Sequence, residues 1–384
     1  MVKVTKSKES LFPKLTALAL IIGTSIGAGI LGLPYLFAKS GFLGGAITLV
    51  VVGIAMTLVT LYFGEISLRT KENYHLSGFA KKYLGNKWKY IVLAVETIGI
   101  YAILIAYLIG IGMVASQIFG INATIASTIF FVLVALAVFF GYERTSRTEF
   151  LFTFLKIALL VAIIAFILPG AKTANLGTGF DWTTALIPIG VAIFAFNCYT
   201  VLPEIETKIL HKDKKSIWYI VIAGMAIVLL FYLVFSYVFL GNFGTGVSEV
   251  ATNSLIGKLA WAGALFVLIT LVTPFIALTS VIKDIYTHDL NIDRRFSWFL
   301  ACFVPYMIFL YGGFSFVSLI SYAGVFAFGL LGVITVYTLY KARQNKPEVV
   351  PGYVVPGGVA LMALTALVFV AAIVYQLLLF VGIV

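Results

Sequence analysis

Gly23-Thr24-Ser25-Ile26-Gly27-Ala28-Gly29-Ile30-Leu31-Gly32-Leu33-Pro34-Tyr35 lies in the middle of the first long apolar stretch of the chain and holds four glycines and a proline. Glycine and proline are the poorest residues for a helix interior, yet the flanking sequence is apolar enough to cross a bilayer. Lipid offers no hydrogen bonds to bare N–H and C=O groups, so an unwound backbone at membrane depth is tolerated only where protein buries it or where it lines a water-filled cavity. A helix broken here marks a candidate binding site.

The composition supports the membrane reading. Of 384 residues, 62% are hydrophobic and 11% charged, and the mean hydropathy is +1.10, outside the range of soluble domains. Eleven stretches meet a span length of about 20 residues: roughly 12–38, 42–69, 89–118, 123–140, 149–169, 183–209, 217–240, 257–287, 296–313, 315–340 and 354–383. The net charge of +11 does not indicate nucleic acid, because the basic residues punctuate apolar runs instead of clustering on a soluble face. Cys198 and Cys302 both fall inside spans, without a metal-ligand partner at useful spacing.

Loop charge sets the orientation. Twenty-two lysines and arginines fall at one set of loop ends, and three, Lys39, Lys172 and Lys258, at the other. This predicts a multi-pass protein of the cell membrane with its N-terminus cytoplasmic and its C-terminus outside. All five tryptophans stand near the start of a span, where an amphipathic ring suits the lipid interface. Residues 76–84 carry apolar positions at helical spacing and end in Gly85, which predicts a short amphipathic helix on the inner membrane surface.

The sixth span holds a second break, Phe194-Ala195-Phe196-Asn197-Cys198-Tyr199-Thr200-Val201-Leu202-Pro203-Glu204. Pro34 and Pro203 are 169 residues apart, and the starts of spans three and eight share that offset. Spans one to five and six to ten therefore read as two copies, and an odd number of spans per copy makes the repeat inverted. The expected organisation is a cytoplasmic segment at 1–11, repeat one at 12–169, repeat two at 183–340 and an additional helix at 354–384. The fold class is all-α, with helices one and six broken mid-membrane. Paired breaks at corresponding positions point to a transporter's binding site.

Two soluble-enzyme patterns in the first stretch fail on context. Gly27-Ala28-Gly29-Ile30-Leu31-Gly32 spells a dinucleotide loop, but no strand precedes it and no acidic residue follows about 20 positions on. Gly23-Thr24-Ser25-Ile26-Gly27 spells a nucleophile elbow, but His75, His211 and His288 all lie in loops, away from Ser25. An enzyme is not expected, nor a cofactor. Close packing through small residues accounts for Gly23 and Gly27, but not for Gly29, Gly32 and Pro34 besides. At such a break, free N–H groups at a half-helix N-terminus suit a carboxylate, and nearby carbonyls suit an ammonium or a metal cation.

Gly27 to Tyr35, with Ser40-Gly41-Phe42 after it, resembles the first-helix signature of the amino acid/auxin permease family within the amino acid-polyamine-organocation superfamily. Phe194-Ala195-Phe196, Val201-Leu202-Pro203-Glu204 and Tyr83-Leu84-Gly85 are also similar to that family. Many relatives have Cys-His where this chain has Cys198-Tyr199. The resemblance implies a LeuT-type fold and an amino acid substrate. It implies that the N–H groups of Ala28, Gly29 and Ile30 hold the substrate carboxylate, and that the carbonyls of Ile26, Phe194 and Asn197 hold its amine. Side chains at similar depth, Tyr101, Phe196, Asn197, Phe275 and Tyr322, are candidates for the pocket wall. It further implies a cation site made by carbonyls of Gly23 and Ile26 with Thr279 and Ser280, which sodium or a fifth-helix lysine ammonium would occupy.

That lysine is Lys156, about 10 Å inside span five at 1.5 Å per residue. A lysine at mid-span costs about 2.5–3.5 kcal/mol and is functional by default. The expected function is therefore proton-coupled symport of neutral amino acids, with H+ as coupling ion and Na+ as the alternative. An exchanger and an amino acid receptor without transport are further alternatives. Glu96, at similar depth in span three, is a second candidate for coupling, and Glu65 is placed to pair with Arg69 four residues on.

Overall fold

The computed structural model describes residues 11–72, 74–140, 146–177, 180–211 and 213–382, with the side chains of 146–151 left undescribed. The predicted segment 1–11, apart from Leu11, and Lys3, Lys6, Lys8, Arg144, the Arg147 side chain and Lys212 lie outside that description. Among the described residues the chain is helical, without strands. Its α-helices are α1 (Leu11–Ser25), α2 (Ala28–Ser40), α3 (Phe42–Arg69), α4 (Leu76–Leu84), α5 (Asn86–Phe119), α6 (Ala123–Phe139), α7 (Ser146–Ile167), α8 (Trp182–Ala185), α9 (Ile189–Ala195), α10 (Leu202–Glu204), α11 (Ile217–Phe243), α12 (Lys258–Asp284), α13 (Arg294–Tyr311), α14 (Phe316–Tyr322), α15 (Leu330–Gln344) and α16 (Gly358–Val381).

Among the described residues, eight helical segments are long and apolar enough to cross a membrane, and the bent pair α1 and α2 makes nine. Helices occupy the other two expected stretches too, but α6 has 17 residues and α13 has 18 interrupted by Pro305. Side chains such as Leu133, Phe166 and Leu367 stand exposed around the bundle, as a lipid-facing surface requires. Asn122, part of a glycosylation-like triplet, instead caps α6: its side-chain oxygen accepts from the N–H groups of Thr124 and Ile125 at 2.9 and 3.3 Å.

The loops sort onto two ends of the bundle. Lys14 pairs with Asp213 at 3.0 Å, Lys89 with Asp289 at 2.6 Å and Lys82 with Glu348 at 2.7 Å, so loops expected on one side meet one another. At the opposite end, the Lys172 N–H bonds Gly241 O at 2.9 Å and Thr48 bonds Ala185 O at 2.7 Å. We call the first the basic end. One expectation about it is corrected: α4 does not lay its apolar face on lipid. Leu76, Phe79 and Ala80 are buried against protein, with Phe79 edge-on to Phe63 of α3 at 5.6 Å.

A buried ionic knot fixes the basic end. Glu65 is fully buried. Its carboxylate accepts from Arg69 Nε at 2.9 Å as the spacing predicts, and also from Arg343 Nε and Nη2 at 2.9 and 2.6 Å and from the Val355 N–H at 2.8 Å. Arg343 Nη2 also donates to Val355 O at 2.7 Å. The strap between α15 and α16 is thereby tied to α3, and Tyr353 adds a bond to Leu61 O at 2.9 Å. Removing one partner of a buried ion pair costs about 3–5 kcal/mol. Arg343→Met is expected to lower the thermal unfolding midpoint of the detergent-purified protein, and by more than Arg69→Met, because Arg343 supplies two of the carboxylate's bonds.

Further along the strap, Glu348 accepts from the Lys71 N–H at 3.0 Å and from Lys82 Nζ. These bonds hold its carboxyl below the ordinary value of 4.5. A depressed folded-state pKa contributes stability above the unfolded value, lost as pH falls through the folded one. Hydrogen exchange across residues 346–355, corrected for intrinsic rates, should therefore accelerate when pH drops below about 4.5 and stay flat from there to neutrality.

Candidate binding site at the two helix breaks

The first break falls between Ser25 and Ala28, where α1 and α2 meet at a 53° bend. Gly27 N–H closes a tight bond to Ser25 O at 2.7 Å. Gly27 occupies the N-cap of α2 without a side chain to cap it, so the first-turn N–H groups of Ala28, Gly29 and Ile30 have no intrahelical acceptor. The second break follows α9: Phe196 to Cys198 leave the helix, Tyr199–Val201 make a 3-10 turn and α10 resumes at Leu202 with Pro203 in its first turn. The two breaks touch. A Cβ on Gly29 would lie 2.5 Å from Ala195 Cβ, so no larger residue fits there without moving α2 from α9.

Tyr232 of α11 joins the breaks from behind. Its hydroxyl lies 2.5 Å from Ser25 O and 2.8 Å from Ala195 O, so its single O–H is shared between the carbonyl at the end of α1 and the one at the end of α9. Tyr232 is fully buried, and its ring packs on Phe196 at 5.1 Å. Sequence reasoning missed it, since a tyrosine in an apolar helix carries no signal of its partner.

A cavity of about 620 Å³ opens from the breaks toward the basic end, a size typical of small-ligand sites. Gly23, Ala28, Phe194, Asn197, Lys156 and Glu96 line it. Lys156 Nζ donates to Gly23 O at 2.5 Å, so the ammonium sits at the unwound end of α1. A Cβ on Gly23 would strike Thr153, one helical turn before Lys156 on α7. The Asn197 side-chain oxygen is buried with no hydrogen-bond partner.

Other expected residues are not brought to this cavity. Ile26, Gly29 and Ile30 are buried beside the first break and are not among the residues lining the cavity. Tyr101 donates its hydroxyl to Leu300 O at 3.0 Å and meets Tyr286 Oη at 2.6 Å, facing α13. Phe196 turns to α3, where a Cβ on Gly53 would meet its ring at 3.1 Å. Phe275 is buried edge-on to Phe130 of α6 at 5.2 Å. Tyr322 lies beside Phe326. Thr279 and Ser280 spend their hydroxyls on their own helix, at Phe275 O and Ile276 O. The face of α12 that does line the cavity carries Thr270, Thr273, Pro274 and Ala277. Pro274 was a readable signal for it, a helix breaker at mid-span. Tyr107 and Tyr199 also line the cavity and were not anticipated.

A helical membrane bundle with two broken helices meeting at a central cavity defines a transporter of the LeuT type. A solved structure, MhsT in complex with L-phenylalanine, matches it at a TM-score of 0.65 over 96% of this chain and 98% of that one, at 14% identity. Residues 12–378 match the tryptophan/tyrosine permease family, and the chain belongs to that family. It is a membrane transport protein of the amino acid class, not an enzyme. The tyrosine-specific transport system 1 of Haemophilus influenzae is 26% identical over 85% of this chain and 87% of its own length. Glutamine transporter 2 of Aliivibrio fischeri is 24% identical over 92% and 97%, and the low affinity tryptophan permease of Escherichia coli K12 is 25% identical over 90% and 92%.

Tyr232 generates a prediction. Tyr232→Phe leaves the Ala195 carbonyl without its donor, while Ser25 O keeps the Gly27 N–H, at about 1–3 kcal/mol for an unsatisfied group. The variant is expected to fold with a lowered unfolding midpoint and to bind substrate at least several-fold more weakly, measured by ligand-induced thermal shift. An unchanged affinity would show that the breaks hold their shape without it.

Proposed function

We propose that the chain is a proton-coupled symporter of neutral amino acids with aromatic side chains, working by alternating access. The substrate carboxylate would meet the free N–H groups of Ala28, Gly29 and Ile30 at the positive end of α2. Its amine would meet the carbonyls of Ile26, Phe194 and Asn197, with the unpaired Asn197 side-chain oxygen beside them. The apolar and aromatic lining of the cavity, including Ile100, Ile103 and Phe328, suits a large uncharged side chain. Relatives named for tyrosine and tryptophan, and a fold relative holding L-phenylalanine, support that class.

The observation that carries the coupling is the ammonium of Lys156, 2.5 Å from Gly23 O in the cavity wall. A lysine there supplies the charge that sodium would otherwise bring, and its loss of a proton would release α1 from α7. One proton crossing 100 mV is worth about 2.3 kcal/mol, enough for roughly fifty-fold accumulation at about 1.4 kcal/mol per tenfold. Sodium as coupling ion is the alternative at the same carbonyls. Membership of the amino acid/auxin branch of the superfamily, eleven crossings in a five-plus-five inverted repeat, and a cytoplasmic N-terminus with an outward C-terminus belong to the same proposal. The first-helix motif, the two breaks and the lysine-rich basic end support it, and on that orientation the cavity would face inward.

Purified protein in liposomes decides the coupling. A pH step without sodium is expected to drive uptake of tyrosine or tryptophan. Lys156→Met should abolish pH-driven accumulation while leaving counterflow of substrate measurable. Uptake that needs sodium and ignores the pH step would overturn the lysine's role.

A further inference from the structure

Four hydroxyl side chains lie along the cavity half of α12, and three of them bond their own helix. Thr273 donates to Ile269 O at 3.0 Å, Thr279 to Phe275 O at 2.8 Å and Ser280 to Ile276 O at 2.9 Å. Thr270 differs. It is 1% exposed, its Oγ1 has no hydrogen-bond partner, and it forms part of the cavity wall. A buried hydroxyl without a partner is uncommon and calls for a specific reason.

A second group lies beside it. Pro274, one turn further on, has no N–H, so the Thr270 carbonyl lacks its α-helical donor. Thr270 and Pro274 both line the cavity, which puts the missing bond on that face. Position 270 thus offers an O–H and a free C=O within one residue, with Ile269 next to them and Ile100 and Ile103 of α5 also lining the cavity.

We infer that Thr270, with the carbonyl freed by Pro274, is the specificity subsite that reads a single polar atom at the end of an otherwise apolar substrate side chain, and that a phenol fits it best. This rests on the cavity being the amino acid site. A phenolic hydroxyl donates to the Thr270 carbonyl and accepts from the Thr270 hydroxyl, satisfying both groups. An indole N–H donates to the carbonyl only. A phenyl ring satisfies neither, and leaves two buried polar groups unpaired, the condition under which a site rejects an analogue lacking the hydroxyl. A side-chain amide brings more donors and acceptors than the position can match.

Dissociation constants of L-tyrosine, L-tryptophan and L-phenylalanine, measured by calorimetry on the detergent-purified full chain, test this. Wild type is expected to bind tyrosine roughly tenfold more tightly than phenylalanine, with tryptophan between them. Thr270→Val, which keeps the shape and removes the hydroxyl, should bring the tyrosine to phenylalanine ratio near one while phenylalanine still binds. Thr270→Ser should restore the preference, which a purely structural role of the side chain would not do. Equal affinities in wild type, or a preference that survives Thr270→Val, overturns the subsite and leaves the amino acid site standing. Wild type binding none of the three overturns the amino acid reading itself, and the subsite with it.

Discussion

Two helices that stop at the same depth of a membrane bundle leave carbonyls and N–H groups that hydrocarbon cannot satisfy. The Tyr232 hydroxyl answers one carbonyl from each, at Ser25 and at Ala195. This shared donor sits behind the breaks, and the first-turn N–H groups of α2 are left without an intrahelical acceptor. The site is polar on one face only because the other face is closed by a phenol. Burial of Phe196 against the same ring removes a large side chain from the cavity and leaves room for a ligand.

Close backbone approaches define which elements move together. Gly29 abuts Ala195, and a Cβ on Gly324 would come within 1.9 Å of Gly190 O. Each contact exists only because the residue is glycine, and each ties α2 or the turn after α14 to α9. The halves α2 and α9 and the turn after α14 therefore pack as one block. The half α1 is different: it packs on α11 and α7, and a 53° bend separates it from α2. Tyr232 links the end of α1 to the end of α9, and Lys156 ties Gly23 of α1 to α7.

Much of this was legible in the sequence, for a physical reason. Glycine and proline inside an apolar span conflict with the helix that the membrane demands, so Gly23 to Pro34 and the stretch around Asn197 announced both breaks. Lys156 was readable because a charge at mid-span is costly, and Glu65 with Arg69 because the i,i+4 spacing is short-range. Faces were not legible. A helix such as α5 is apolar all round, so nothing in its pattern separates the side lining the cavity, with Tyr107, from the side turned to α13, with Tyr101. On α12 the Thr279-Ser280 pair drew attention by composition, whereas the cavity face is set by Thr270 and Pro274, about one and a half to nearly three turns before it. Arg343 meets Glu65 across 278 residues, a separation at which local pattern says nothing.

The cavity opens at the basic end and is sealed opposite, where a Cβ on Gly110 would already touch Phe316 and Leu271 at 3.0 Å. The ionic contacts at the open end fall into two classes of strength. Lys14 with Asp213 and Lys89 with Asp289 keep side-chain exposures of 20–32%, and solvent screening leaves such pairs worth about 0–1 kcal/mol. The Glu65 knot is buried, with every bond to its carboxylate inside protein, and opening it would strand a charge at about 3–5 kcal/mol. Motion that exchanges access should therefore break the first class and spare the second. The frame is then α3, α15 and the strap, held by Glu65. The moving parts are α1, which carries Lys14 and the Gly23 carbonyl held by Lys156 of α7, and the end of α12 that leads to Asp289, the helix on which Thr270 lines the cavity.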